Sequence, residues 1–249
     1  MSSTLRPSLH QVAALTALDL RGALGHPSFW ILLLILGATI PIGQSMTNFA
    51  FSPSTSPAVE IALSAMVFGS AGTIILAAYR LALEAPASAS TSMEVQLLHP
   101  NASRAAGRLL ALTVVGSIAA TVLAGLSWAS TAILAPERSL GDVRQGTVLL
   151  SLILHLSLLA SLAMFLTARG PALLATLLCT VLYILGNMTA DAASGPVATL
   201  LWFLPDFARS VPNPGQPQIP PLVAIQSLSY TGFLLALAIF FPSLREQRR

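Results

Sequence analysis

Of the chain's 249 residues, 55% are hydrophobic and only 8% are charged, with a formal net charge of +3. Soluble domains carry roughly a quarter charged residues, so a water-soluble fold is excluded for want of polar surface. A bilayer removes that demand, because a lipid-facing helix needs no polar face and each crossing takes about 20 apolar residues.

The first 26 residues form the first predicted element. Leu9, Val12, Ala13, Thr16 and Leu20 recur at near-helical spacing, with Arg6, Asp19 and Arg21 outside that set. This pattern predicts an interfacial amphipathic helix leading into the first span. A secretory signal would place its apolar stretch nearer the N-terminus and follow it with small residues. Spans are then expected at about 27–46, 58–82, 107–134, 147–167, 171–190 and 221–242, with Pro41 kinking the first. The loop 47–57 is polar and proline-containing, and the loop 135–146 carries four charges. The longest connection, 191–220, has room for a short interfacial helix over 197–208, whereas 213–221 is too rich in proline to be regular. A basic tail, 243–249, closes the chain.

Placing the N-terminus in the cytoplasm puts nine arginines inside (Arg6, Arg21, Arg80, Arg104, Arg108, Arg169, Arg245, Arg248 and Arg249) and three outside (Arg138, Arg144 and Arg209). That satisfies the positive-inside rule. The expected fold class is thus an all-α integral membrane protein of six transmembrane helices, with both termini cytoplasmic and the chain in the cell inner (cytoplasmic) membrane.

Chemistry is sparse. All 12 basic Lys/Arg positions are arginine. A Walker-type phosphate loop needs lysine, so this chain cannot supply that site, and arginines scattered along loops form no nucleic-acid stripe. Cys179, the single cysteine, sits in an apolar run and reads as a small buried hydrophobe. Within the spans, His155 is the one deeply placed histidine, and a zinc or haem site needs partners the sequence lacks. It reads first as a packed, hydrogen-bonded neutral residue. Glu60 and Asp191 fall at outer span ends, where solvation explains them and contact with a translocation path is the sharper alternative. There is no GxSxG elbow, and serines in spans usually bond to their own helix backbone. No catalytic, cofactor-binding or metal-binding residue is assigned. Gly116, Ala120 and Ala124 make a small-residue stripe for close helix packing, within the chain or between subunits. Between spans two and three, Met93 to Leu98 reads as a short amphipathic helix ended by Pro100; Asn101 or Ser103 is placed to cap the next helix, which enters through Arg104 and Arg108.

At these residues the chain resembles the permease subunit of ABC-2-type ATP-binding cassette exporters. The entry LDLRGALGHPSFWILLLILG is similar to that family's amphipathic start, and LLWFLPDFARSVP occupies its outer loop before the last span. The acidic, leucine-pair, proline, Ser-Arg and Gly-basic pattern is matched by Glu94, Leu97, Leu98, Pro100, Ser103, Arg104, Gly107 and Arg108, with Glu84 as the acidic residue after span two. The Pro100–Arg104 spacing is one residue longer than the common pattern. The resemblance implies coupling through Glu84, Glu94, Leu97, Leu98, Pro100, Ser103, Arg104 and Arg108 to a separate cytoplasmic ATPase that holds ATP and magnesium. It further implies a second permease copy or a homologous permease, membrane lipids as surroundings, no nucleic acid, and no enzymatic activity in this chain. A haem-exporter B-type permease, a structural or assembly subunit of a larger membrane complex, and, least favoured, a membrane-embedded enzyme remain the alternatives.

Overall fold

The computed structural model describes residues 9–50, 56–87, 101–134, 145–187, 205, 207 and 221–240. Among them, all regular structure is helical: α1 (Leu9–Gly25), α2 (Pro27–Ala50), α3 (Ser56–Ala87), α4 (Asn101–Leu134), α5 (Gln145–Arg169), α6 (Ala172–Gly186) and α7 (Pro221–Phe240). Four of these, α3, α4, α5 and α7, are long and apolar enough to cross a membrane, and α1 with α2 makes a fifth if the bent pair is one span. Leu34, Ile35, Trp128, Leu173, Leu177, Leu222 and Phe233 lie exposed on the outside of the bundle. A soluble monomer rarely presents so much apolar surface, whereas lipid solvates it without penalty. The protein is a multi-pass membrane protein.

The corner between α1 and α2 bends by 62° and is built by local capping. Pro27 starts α2, where a missing N–H costs nothing. The Ser28 amide donates to His26 Nδ1 at 3.2 Å, and Trp30 Nε1 donates back to the Leu24 carbonyl at 2.9 Å, satisfying an end carbonyl of α1. Pro41, expected to kink the first span, lies inside α2, which continues to Ala50, and a separate 62° bend falls at the His26 corner between α1 and α2.

Helix packing is set by glycines that admit a neighbour's side chain. A Cβ on Gly69 would stand 2.5 Å from Leu123 Cδ1, and one on Gly116 would stand 2.6 Å from Ile74 Cδ1. As the α3 partner rises from 69 to 74, the α4 partner falls from 123 to 116, so the two helices are antiparallel. α2 is antiparallel to α3 by the same test, with Leu36 against Gly69 and Leu32 against Gly72. α5 is the central helix, continuously buried from Leu158 to Met164 and packed by α3, α4, α6 and α7. Hydroxyls in these apolar surroundings bond within their own helices, as Ser161 does to the Leu158 carbonyl at 2.7 Å and Thr167 to Ala163 at 2.7 Å. That removes the penalty of an unpaired polar group in lipid.

α6 differs from its neighbours. Of the span expected over 171–190, Ala172–Gly186 is helix and 188–190 lie outside the described residues; the 15 described helical residues rise ~22 Å, short of the roughly 30 Å hydrocarbon core. Its inner face is Ala172, Ala175, Cys179, Tyr183 and Gly186. α7 is held at one end by Arg169, whose Nη2 donates to the Leu237 carbonyl at 2.7 Å while the guanidinium lies 4.0 Å over the Phe165 ring. Arg169→Leu is expected to cost about 2 kcal/mol, the range for a hydrogen bond with a charged donor. Thermal denaturation of the detergent-solubilised protein checks this, and Arg169→Lys, which loses the planar fork, should recover only part of it.

Candidate functional site

Two places hold the polar residues singled out above. The first is the end of the bundle where α3 finishes and α4 begins. Glu84 lies in the last turns of α3, while Glu94, Leu97, Leu98 and Pro100 lie outside the described residues. Ser103 is fully buried as the third residue of α4, and among the described residues its Oγ has no hydrogen-bond partner, so it is not the cap of that helix, which already starts at Asn101. Arg104 and Arg108 are half-buried on the following turns.

Gly107, between those two arginines, receives α1. A Cβ there would lie 3.0 Å from Leu15 Cβ, 3.3 Å from the Val12 carbonyl and 3.4 Å from the Thr16 amide nitrogen. Thr16 Oγ1 lies 2.8 Å from the Val12 carbonyl and 3.2 Å from the Gly107 carbonyl, bridging the two helices. The inward stripe of α1 is therefore Val12, Leu15, Thr16, Leu20 and Ala23, whereas Leu9 (86% exposed) and Ala13, expected on the apolar face, point outward. The outward face, with Leu9, Ala13, Ala14, Ala17 and Leu18, is itself largely apolar. Thus the notch at Gly107, more than the distribution of polar residues, sets which face turns in.

The second place surrounds His155, five residues past the start of the apolar stretch of α5 at Leu150 and so about 8 Å into it. The side chain is fully buried. Its Nε2 lies 3.1 Å from the Tyr183 hydroxyl of α6, and the ring is hydrogen-bonded to the backbone of Phe207. Because the Phe207 amide already donates to the Pro205 carbonyl at 3.0 Å, the imidazole bonds to the Phe207 carbonyl. A neutral imidazole has one N–H and one lone pair. The N–H goes to Phe207 and the lone pair takes the Tyr183 hydroxyl, so both bonds are satisfied without charge.

Four rings meet here. His155 and Tyr183 centroids are 5.6 Å apart, His155 and Phe207 5.5 Å, and Tyr183 and Phe207 5.1 Å, all near edge-to-face, with Phe68 of α3 6.2 Å from Tyr183. Gly186 makes room for Phe207. A Cβ there would stand 2.6 Å from both the ring's Cδ2 and the Pro205 carbonyl.

The described contacts of His155 include none of the other residues suggested for a path. Glu60 lies in the first turns of α3 and Asp191 lies outside the described residues. Gly116 and Ala120 are buried and Ala124 partly so, with Gly116 set against Ile74 of α3 and Leu156 of α5. No group of three metal-ligating side chains occurs among the described residues. Tyr183, Gly186 and Phe207 escaped the sequence reading, although the proline-aromatic stretch LPDF flagged the outer segment that supplies Phe207. Comparison with known proteins gave no match to any family model, any curated protein or any solved structure.

Proposed function

We propose that the chain is the permease subunit of an ATP-driven exporter of the ABC-2 class, crossing the cytoplasmic membrane six times with both termini inside. α1 serves as its membrane-surface entry helix, and a separate ATPase docks on the segment between α3 and α4. One observation carries the reading: α3 and α4 are the two longest helices, with 32 and 34 residues, and the end where they meet collects every arginine of the described residues. Arg80 lies two turns before the end of α3, Arg104 and Arg108 lie in the first turns of α4, Arg169 ends α5, which returns to this end, and Arg21 belongs to α1, the helix that packs on Gly107. Arg138, Arg144 and Arg209 lie outside the described residues, so the reading of this end as cytoplasmic rests on the nine-to-three split of arginines in the sequence. Helices of ~48 and ~51 Å exceed the hydrocarbon core and give stiff support to whatever joins them.

In this reading, closure of an ATPase dimer pushes on residues 93–104, and the force enters α3 and α4 together because their glycine contacts couple them as one unit. α1 rides on the same turn of α4. Direction and partner rest on the resemblance, and the packing explains how a push would spread.

Affinity purification of the tagged chain from its native membrane is expected to bring down a Walker-motif ATPase. Replacing Leu97, Leu98 and Arg104 together by alanine should lower the recovered ATPase by roughly tenfold or more, the loss expected when an interface anchor is truncated, while the melting temperature stays put. Full association and transport in that triple variant would overturn the assigned interface.

A further inference from the structure

Arg80 stands inside the apolar stretch Leu63–Leu83 of α3, and Arg104 and Arg108 stand inside Ala102–Ser130 of α4. Charges within such stretches are rare and are normally answered by a partner. Among the described residues, Arg80 and Arg104 have none. The Arg80 Nε is closed off from solvent without a hydrogen bond, so the open part of its guanidinium is the terminal pair of nitrogens.

Helix register brings these side chains to one place. Gly69 meets Leu123 and Ile74 meets Gly116. Carried on along the antiparallel pair, that register sets Arg80 level with about residue 110 of α4, within a turn of Arg108. Arg104 lies one turn before Arg108 on the same face. α1 crosses these turns, with Leu15 and Thr16 against Gly107 and Asp19 following on the same side of the helix. Ser103, one turn before Gly107, adds a fully buried hydroxyl that has no partner among the described residues.

Charge and depth define what fits. The acids on these turns are Asp19 and, four residues after Arg80, Glu84, so the three arginines exceed them by one. A phosphodiester carries one negative charge, and its two free oxygens match the fork of a guanidinium. Arginine near the end of an apolar stretch keeps its stem in the hydrocarbon and its head at the depth of lipid headgroups. Leu83 of α3 and Leu110 of α4, close to this level, are exposed hydrophobics that acyl chains can cover.

We propose that Arg80 and Arg104, with Arg108 beside them, form a binding site for the phosphate of an anionic phospholipid where α1, α3 and α4 come together. Basic sites between helices recognise lipid headgroups in this way. Free phosphate shares the chemistry but has no use for the apolar surface around the arginines. The site rests on the helices lying in a membrane and is independent of any ATPase.

The test reconstitutes full-length protein in nanodiscs of phosphatidylcholine and phosphatidylglycerol in equal parts, then counts retained lipid by native mass spectrometry after release into detergent. Phosphatidylglycerol should be retained over phosphatidylcholine, and Arg80→Gln and Arg104→Gln should each lower that retention about tenfold, the loss expected for a charge-assisted bond. Arg80→Lys, which keeps the charge without the fork, should fall between. Arg21→Gln, on the exposed side of α1, should stay within about twofold of the native protein, because a diffuse basic surface is not the site. Melting in phosphatidylcholine alone checks that each variant folds, and if Arg80→Gln does not, Arg104→Gln and Arg80→Lys carry the test. Equal retention of the two lipids by the native protein overturns the proposal, as does a loss in Arg21→Gln as large as that in Arg80→Gln. Displacement of the lipid by inorganic phosphate at low millimolar concentration assigns the site to free phosphate and overturns the lipid assignment. No ATPase is present, so failure here and failure of the co-purification are distinguishable.

Discussion

Gly186→Ala is expected to destabilise the protein by about 3 kcal/mol, at the upper end of the range for overpacking a well-filled core. A single methyl group suffices because of what it meets. Most tight glycine contacts in this bundle face the far end of a side chain, such as Leu126 Cδ1 against Gly37, which rotates away at modest cost. At Gly186 one of the two atoms at 2.6 Å is the backbone oxygen of Pro205, and the other is part of a fully buried ring. Neither moves without withdrawing the segment, and withdrawal strands the His155 donor and the Tyr183 ring edge together. Equilibrium unfolding in detergent measures the loss. The controls are Gly125→Ala and Gly232→Ala, on helical turns where nothing lies within 4 Å. These should be neutral or stabilising by up to about 1 kcal/mol, since alanine is the better helix former. Combining Gly186→Ala with Phe207→Ala should cost less than the sum of the two, because the clash with the ring disappears while that with the Pro205 carbonyl persists. Strict additivity would show that Phe207 does not occupy the space above Gly186.

The contrast between what the sequence shows and what it hides has a simple physical basis. Lipid-facing helices announce themselves by composition: α3, α4 and α5 cover the stretches expected at 58–82, 107–134 and 147–167, and α7 covers the described part, 221–240, of that expected at 221–242. Back-bonded hydroxyls such as Ser161 and Thr167 were likewise foreseeable, since each partner lies three or four residues away. Contacts made across the fold were not. His155 was read as a packed and hydrogen-bonded residue, yet its partners Tyr183 and Phe207 lie 28 and 52 residues along the chain, and no periodicity links them. α6 is helical through Gly186 with Asn187 as its C-cap, its amide donating to the Tyr183 and Ile184 carbonyls, and the last residues of the span expected over 171–190 lie outside the described residues. The inward face of α1 was only half legible: Val12, Thr16 and Leu20 turn in as expected, but an apolar helix has no strong preference until a notch such as Gly107 selects one side.

Gly107→Leu should detach α1 from α4, and it separates a structural contact from a working one. An alanine at 107 fits with adjustments of a few tenths of an ångström, because its Cβ would lie between 3.0 and 3.4 Å from Leu15, Val12 and Thr16. The rest of a leucine side chain would have to enter the α1 backbone. The expected result is a graded series: Gly107→Ala loses about 1 kcal/mol or less, and Gly107→Leu loses the docking of α1 altogether, seen as a large rise in amide exchange over residues 9–25 with α4 still protected. Thr16→Val tests whether the bridging hydroxyl carries the contact. Its loss should stay near 1 kcal/mol or below, since Thr16 Oγ1 bonds within its own helix at 2.8 Å as well as to Gly107 at 3.2 Å. Steric fit, not the hydrogen bond, then dominates the α1–α4 contact. On the permease reading proposed above, an α1 that is only a membrane-surface anchor leaves ATPase binding and transport intact in Gly107→Leu. If movement at Arg104 and Arg108 passes through Gly107 into α1 and on through the His26 corner into α2, the same substitution keeps ATPase binding and loses transport, and that is the outcome expected from the way these helices are joined.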